Sequence, residues 1–279
     1  MAYTAEISRR NPSCLLFVVD RSASMEDPFP GGTKRKCDGL VEALNRLLYE
    51  IAIKCAKEEG IRNYYDIGVI GYGASVGSAF TGVLAGRLLV PIADVANNPA
   101  RIEERAKEEN SAASAPGRKT VRVPVWFDPV AVGATPMSEA FGLAASSLKG
   151  WLEAHPKAYP PTVVHITDGE STDGDPTQAM HAIAQMHTSD GNVLLYNVHI
   201  SDDPNARPLK FPSSADGLPN AYARMLFANS SRLTPFMSAT ARHMGLNVSD
   251  DAKGFVLNAD LIVLVQALDI GTRAGNPLR

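Results

Sequence analysis

The sequence predicts an α/β protein built on a doubly wound, mostly parallel sheet with one antiparallel edge strand. Three observations predict it. Apolar, β-branched-rich runs at 14–19, 65–72, 163–167 and 193–200 have the length and continuity of buried parallel strands. Between strands, apolar residues recur at helical spacing, as in Leu40, Leu44, Leu47, Leu48, Ile51 and Cys55. Strand and helix patterns alternate along positions 1–279, and no linker is long enough to divide them, so one domain is expected. In such sheets ligands bind beyond the C-terminal ends of the strands, so the residues that follow each strand are the first candidates for a site.

Taken in order, the first strand at 14–19 leads into a loop at 26–36 that is rich in Pro, Gly and charge. Asp38 suits the N-cap of the first helix, and Gly60 suits its stop. After the strand at 65–72, Gly71, Gly73 and Gly77 predict a flexible turn. The apolar stretch 83–92 predicts the antiparallel edge strand. The segment 97–120 differs in character: a charge run at 101–109 followed by small residues reads as a solvated helix and a surface loop. Positions 121–127 have β character, but Pro124 and Pro129 keep them out of the centre of a sheet. Pro136 suits a first helical position, and Met137, Phe141, Ala144, Leu148 and Leu152 continue that helix. Met180, Ile183 and Met186 mark the next helix, followed by the strand at 193–200. Helical turns near 222–226 and from Thr234-Pro235 to Gly245 precede a final amphipathic helix at 259–270.

Composition narrows the function classes. An apolar content of 45% and a charged content of 20% belong to a globular protein with a sizeable core. A net charge of −3 and a pI near 6.1 point away from nucleic acid and from anionic membranes. Three cysteines, Cys14, Cys37 and Cys55, with no C-x-x-C pair, argue against a disulfide framework or a zinc site. Residues 1–12 carry no apolar core of a signal peptide, and the apolar stretch 255–270 is too short and too polar to span a bilayer. A cytoplasmic location is the expectation.

The chemistry concentrates after the strands. Asp20, Ser22 and Ser24 set one carboxylate and two hydroxyls directly after the first strand, where a loop can fold them around one point. Hard oxygen donors of this kind suit a hard cation such as Mg²⁺ or Mn²⁺. Gly133-Ala134-Thr135-Pro136-Met137 places a hydroxyl before a helix, and Thr162-Val163-Val164-His165-Ile166-Thr167-Asp168-Gly169 is a strand ending in a carboxylate. Together, D-x-S-x-S, the later Thr and the strand-end Asp-Gly resemble the metal-ion-dependent adhesion site of the von Willebrand factor A (VWA) family, in its stand-alone intracellular bacterial type. The resemblance implies a Rossmann-like sheet and a metal held by Asp20, Ser22, Ser24, Thr135 and Asp168. It also implies a partner protein whose Asp or Glu completes the coordination, and a setting beside Ser/Thr kinases and phosphatases. The Asp20–Thr135 spacing exceeds that usual in the family, which makes 97–120 an insertion.

The alternative is a metal-dependent hydrolase or phosphatase using Asp20 or Ser22. Phosphatases whose strand-end Asp is phosphorylated carry a second Asp two residues on, and here that position is Ser22. A Ser-His-Asp arrangement would draw on His165 or His199, both inside apolar strand patterns, and no G-x-S-x-G elbow occurs. The residues therefore favour a binding module without catalysis.

Overall fold

The computed structural model describes residues 3–106, 120–201, 203 and 205–273. Its strands are β1 (Ser13–Asp20), β2 (Tyr65–Tyr72), β3 (Val76–Ser78), β4 (Val90–Pro91), β5 (Arg101–Ala106), β6 (Thr120–Val125), β7 (Thr162–Thr167), β8 (Leu194–Ile200), β9 (Leu209–Lys210) and β10 (Phe255–Ala259), with two further two-residue hairpins. Its helices are α1 (Lys36–Cys55), α2 (Ile92–Asn97), α3 (Met137–Ala154), α4 (Thr177–Gln185), α5 (Ala221–Ala228), α6 (Pro235–His243) and α7 (Leu261–Gly271). Five strands pair in parallel in the order β10-β8-β7-β1-β2. Short antiparallel strands flank them: β9 on β10 at one edge, and β3 and β4 on β2 at the other.

All eight residues of β1 are buried, because both faces of the sheet are covered. Leu15, Phe17 and Val19 face the apolar layer built with α1, α2, α6 and α7. Cys14, Leu16 and Val18 face the layer built with α3, α4 and α5. The chain leaves β1 for β2 on one side, whereas β7 and β8 lie on the other, so the order reverses between β1 and β7. That reversal opens a crevice at the C-terminal ends of these two strands.

Several local expectations are corrected. The charge run at 101–109 begins as the strand β5, paired with β6, and not as a helix. Its charges pair at two-residue spacing, as in Arg101–Glu103 (2.6 Å) and Arg105–Glu103 (2.9 Å), while Val121, Val123 and Val125 stand opposite them. That alternation suits a ladder with β-branched partners better than an i, i+4 helix face. Positions 107–119 of the expected insertion lie outside the described residues. Of the stretch 83–92, Val90–Pro91 alone pairs with the sheet; Gly82–Leu84 is a 3-10 turn and Ile92 opens α2.

Helix α1 starts at Lys36, ahead of Asp38, whose carboxylate instead binds Arg35 at 2.7 and 2.8 Å. It ends at Cys55, before Gly60, which serves the hairpin that follows. Pro136 stands just outside α3 and does not open it. The strand β10, at 255–259, is not among the expected elements, and the final helix expected from 259 opens at Leu261. Asn258, with φ 58°, and Asp260, whose carboxylate accepts from the Val263 amide, divide strand from helix.

The β5–β6 hairpin is fastened to α1 through Asn45, which is 1% exposed. Its Oδ1 accepts from the Trp126 amide at 2.9 Å, and its Nδ2 donates to the Phe127 carbonyl at 3.2 Å. Asn45→Ala leaves both backbone groups buried without partners and is expected to lower stability by about 2–4 kcal/mol in urea unfolding. A smaller loss would mean that water replaces the amide.

Candidate metal centre

The crevice between β1 and β7 gathers residues from three distant segments. Asp20 is the last residue of β1 and is 1% exposed. Its Oδ1 accepts from the Ser22 amide at 2.9 Å, and its Oδ2 accepts from the Thr167 hydroxyl at 2.8 Å. The Ser22 and Ser24 hydroxyls lie 3.1 Å apart. Ser24 Oγ donates to Asp168 Oδ1 at 2.7 Å, a bond spanning 144 positions of sequence. Four of the five expected site residues are thus linked by hydrogen bonds within one small space.

Thr135 reaches the same edge on another loop and is buried. Its amide donates to Thr172 Oγ1 at 2.9 Å, and its carbonyl accepts from the Thr172 amide at 3.0 Å. The loop before it lies against the Asp20 loop, with Val132 N bonded to Arg21 O at 2.8 Å and Ala23 N bonded to Gly133 O at 3.0 Å. Gly73 and Gly133 permit this approach. A Cβ on Gly73 would lie 2.6 Å from Arg21 O and 2.7 Å from Val132 O. Gly73 thus serves close packing rather than turn flexibility.

Burial pushes the Asp20 carboxyl up to about 6, against the opposing pull of its bonds from Ser22 and Thr167; the Asp168 charge adds to the rise. Both carboxylates are buried, which favours positive charge beside them. Among the described residues no three His, Cys, Asp or Glu side chains cluster as metal ligands do. The donor set is therefore two carboxylates plus hydroxyls, all oxygen. This fits a hard divalent cation and does not fit a soft one.

Sequence reasoning missed two members of the site. Thr167, fully buried, donates its hydroxyl to Asp20 Oδ2 while accepting from the Gly169 amide at 3.2 Å, and so sets the rotamer of the carboxylate. Lys36, read as part of a charged loop, is 0% exposed and donates to Asp168 Oδ2 at 2.8 Å. Its signal was its register: it stands four positions before Leu40, on the stripe continued by Leu44, Leu47 and Leu48.

Three acids in the loops around the site, Glu26, Asp173 and Asp175, are committed to other partners. Glu26 binds Arg35 at 2.8 Å, and Asp175 accepts from the Thr177 amide at 2.9 Å. Asp173 accepts from the Ser138 and Glu139 amides, both at 2.9 Å, at the start of α3. Partial burial raises its carboxyl, but those two amides, the Ser171 hydroxyl and its own backbone together hold the group below the usual range.

His165 is a core residue, as its strand pattern predicts. Asn197 donates its Nδ2 to the Leu226 carbonyl at 3.1 Å, so its Oδ1 is the acceptor for His165 Nδ1–H at 2.9 Å. His165 Nε2 then accepts from the Tyr72 hydroxyl at 2.8 Å. Both ring nitrogens are used inside the core, which withdraws His165 from any pairing with Ser22 or Ser24.

A scan against protein-family models finds no match, and a search of curated proteins finds none. Solved structures share part of the fold. The chain is similar to the pilus adhesin SpaC from Lactobacillus rhamnosus GG, at 14% identity and a TM-score of 0.48, over 93% of this chain and 30% of that one. It is similar to the manganese-loaded TRAP protein of Plasmodium vivax, at 14% identity and a TM-score of 0.37, over 70% and 60% of the two chains. It is also similar to the ArnB paralog VWA2 from Sulfolobus acidocaldarius, at 11% identity and a TM-score of 0.37, over 69% and 36%. In each case the chain spans less than two thirds of the solved chain. Among the described residues no helix is long and apolar enough to cross a membrane.

Proposed function

We propose that this chain is a VWA-type, metal-dependent protein–protein interaction module of the cytoplasm. Asp20, Ser22, Ser24, Thr135 and Asp168 would hold Mg²⁺ or Mn²⁺ at the C-terminal edge of the sheet. The observation that carries this reading is the Ser22–Ser24–Asp168 hydrogen-bond chain beside Asp20. It assembles oxygen donors from remote segments at the reversal of strand order, where open α/β sheets bind their ligands.

A bound divalent ion supplies positive charge that two carboxylates and three neutral hydroxyls leave available to an incoming acid. The protein's part is to orient the donors. Thr167 aims Asp20, and the Thr172 bonds seat the Thr135 loop. The partner is a protein that offers an Asp or Glu side chain, as the VWA resemblance implies, with Ser/Thr kinase or phosphatase systems as its setting. Hydrolysis is not expected, since His165 is engaged by Tyr72 and Asn197.

Calorimetry with Mn²⁺ and Mg²⁺ tests the reading. The wild type should bind one ion with modest affinity, and Asp20→Ala should bind none. A pull-down with and without EDTA adds the partner. Its retention should need the metal and should weaken in Thr135→Ala, a variant that should melt within a few degrees of wild type. Equal ion binding by wild type and Asp20→Ala, or a partner that stays bound in EDTA, ends the proposal.

A further inference from the structure

Lys36 breaks the local rules of its own element. It is the first residue of α1, where the helix macrodipole disfavours a cation. Arg35, at the N-cap, offers no side-chain cap. A lysine is also among the residues least often found fully buried, yet this one is 0% exposed. What offsets these costs is contact with the crevice: its ammonium lies 2.8 Å from Asp168 Oδ2 and 3.4 Å from the Ser24 carbonyl. The Asp168 side chain is 0% exposed as well, so the pair is shielded from water. Asp168 therefore divides its two oxygens between Ser24 and Lys36. The Ser24 hydroxyl and the lysine converge on the carboxylate that the proposed metal needs.

We propose that Lys36 is the resident counter-cation of this site, balancing Asp168 in the metal-free protein and competing with a divalent ion for the same carboxylate. The inference rests on the metal-site reading above. Loading the site then exchanges part of one cation's contacts for another's, because an ion that takes Asp168 must draw it from the ammonium or share it. Two consequences follow. The metal-free protein keeps its site assembled, since Asp168 never lacks a positive partner. The ion binds more weakly than the oxygen donors alone would allow, because a fixed positive charge a few ångströms away repels it.

The test measures Mn²⁺ binding by calorimetry and thermal melting in EDTA for wild type, Lys36→Met, Lys36→Gln and Asp20→Ala. Lys36→Gln keeps an N–H donor for Asp168 while removing the charge, so it decides the matter if Lys36→Met does not fold. The neutral variants should bind Mn²⁺ at least about tenfold more tightly than wild type. They should melt well below wild type in EDTA and recover most of the difference on adding Mn²⁺. If wild type binds Mn²⁺ and Lys36→Gln binds it equally or more weakly, Lys36 is not a competitor, and the metal site stands without this inference. If neither wild type nor Lys36→Gln binds Mn²⁺, the metal reading falls and takes this proposal with it.

Discussion

Gly133→Ala is expected to lower stability by roughly 3 kcal/mol and to weaken metal binding at the same time. Gly133 has φ 93°, a conformation L side chains rarely adopt. A Cβ there would stand 2.4 Å from Ala74 N, 2.6 Å from Ala74 Cα and 2.9 Å from Gly73 C. These are backbone atoms, so no side chain can swing aside, and one of the two loops must move. The Gly133 loop is held to the Ala74 loop by Ala74 N to Val132 O at 2.7 Å and to the Asp20 loop by Ala23 N to Gly133 O at 3.0 Å, and both bonds loosen with that movement. Thr135 lies two positions further on, so the displacement reaches the proposed ligand. Urea unfolding and Mn²⁺ calorimetry on one preparation check both effects. A variant with wild-type stability would show that the loops part at little cost, and the close approach would then not set the position of Thr135.

The second large effect is a pH dependence carried by His165. Burial pulls its imidazole down from 6.5 to about 4, although the bond to Asn197 works the other way. In the unfolded chain the ring takes up a proton near its ordinary value. Between those two values the unfolded state binds more protons, so stability falls as pH drops through the window. The loss attributable to this ring is about 3 kcal/mol between pH 6.5 and about 4. Asp20 acts in the opposite sense, because burial raises its carboxyl to about 6 and the folded state then gains protons as pH falls. The two contributions partly cancel in the wild-type profile. The difference between wild type and His165→Gln isolates the histidine, since Asp20 is common to both. The glutamine variant should start less stable at pH 7, having lost the ring contact with Phe141, and should decline less steeply on acidification. Parallel profiles would show that His165 takes up its proton without leaving the Tyr72–Asn197 network.

Much of this architecture was legible because parallel strands buried on both faces announce themselves as continuous apolar runs. β1, β2, β7 and β8 all did so, and the oxygen-bearing residues after β1 and β7 stood where such sheets place their ligands. β10 escaped because 255–259 abuts the apolar α7, and five residues carry no period that separates strand from helix. The β5–β6 hairpin escaped because its pairing is decided across the ladder, by valines some twenty positions away, whereas the charge run read locally suggests a helix. At the site, the resemblance carried by D-x-S-x-S, the later Thr and the strand-end Asp-Gly pointed to Asp20, Ser22, Ser24, Thr135 and Asp168. Lys36 and Thr167 could not be weighed that way, because their importance comes from a neighbour more than a hundred positions distant.

The place of β1 in the sheet also bears on how the chain is made. This strand leaves the ribosome well before β7, yet it becomes a central strand, with β2 on one side and β7 on the other. The partner on the β7 side arrives late, as the 144-position span between Ser24 and Asp168 records. At about 5–20 residues per second, that span takes roughly 7–29 seconds to synthesise. For that interval one edge of β1 has no strand beside it, and the Asp20 loop has neither Thr167 nor Asp168. The nascent chain thus carries an unpaired apolar edge for far longer than a hairpin takes to form, and a ribosome stalled before Asp168 would hold a half-sheet open to misassociation.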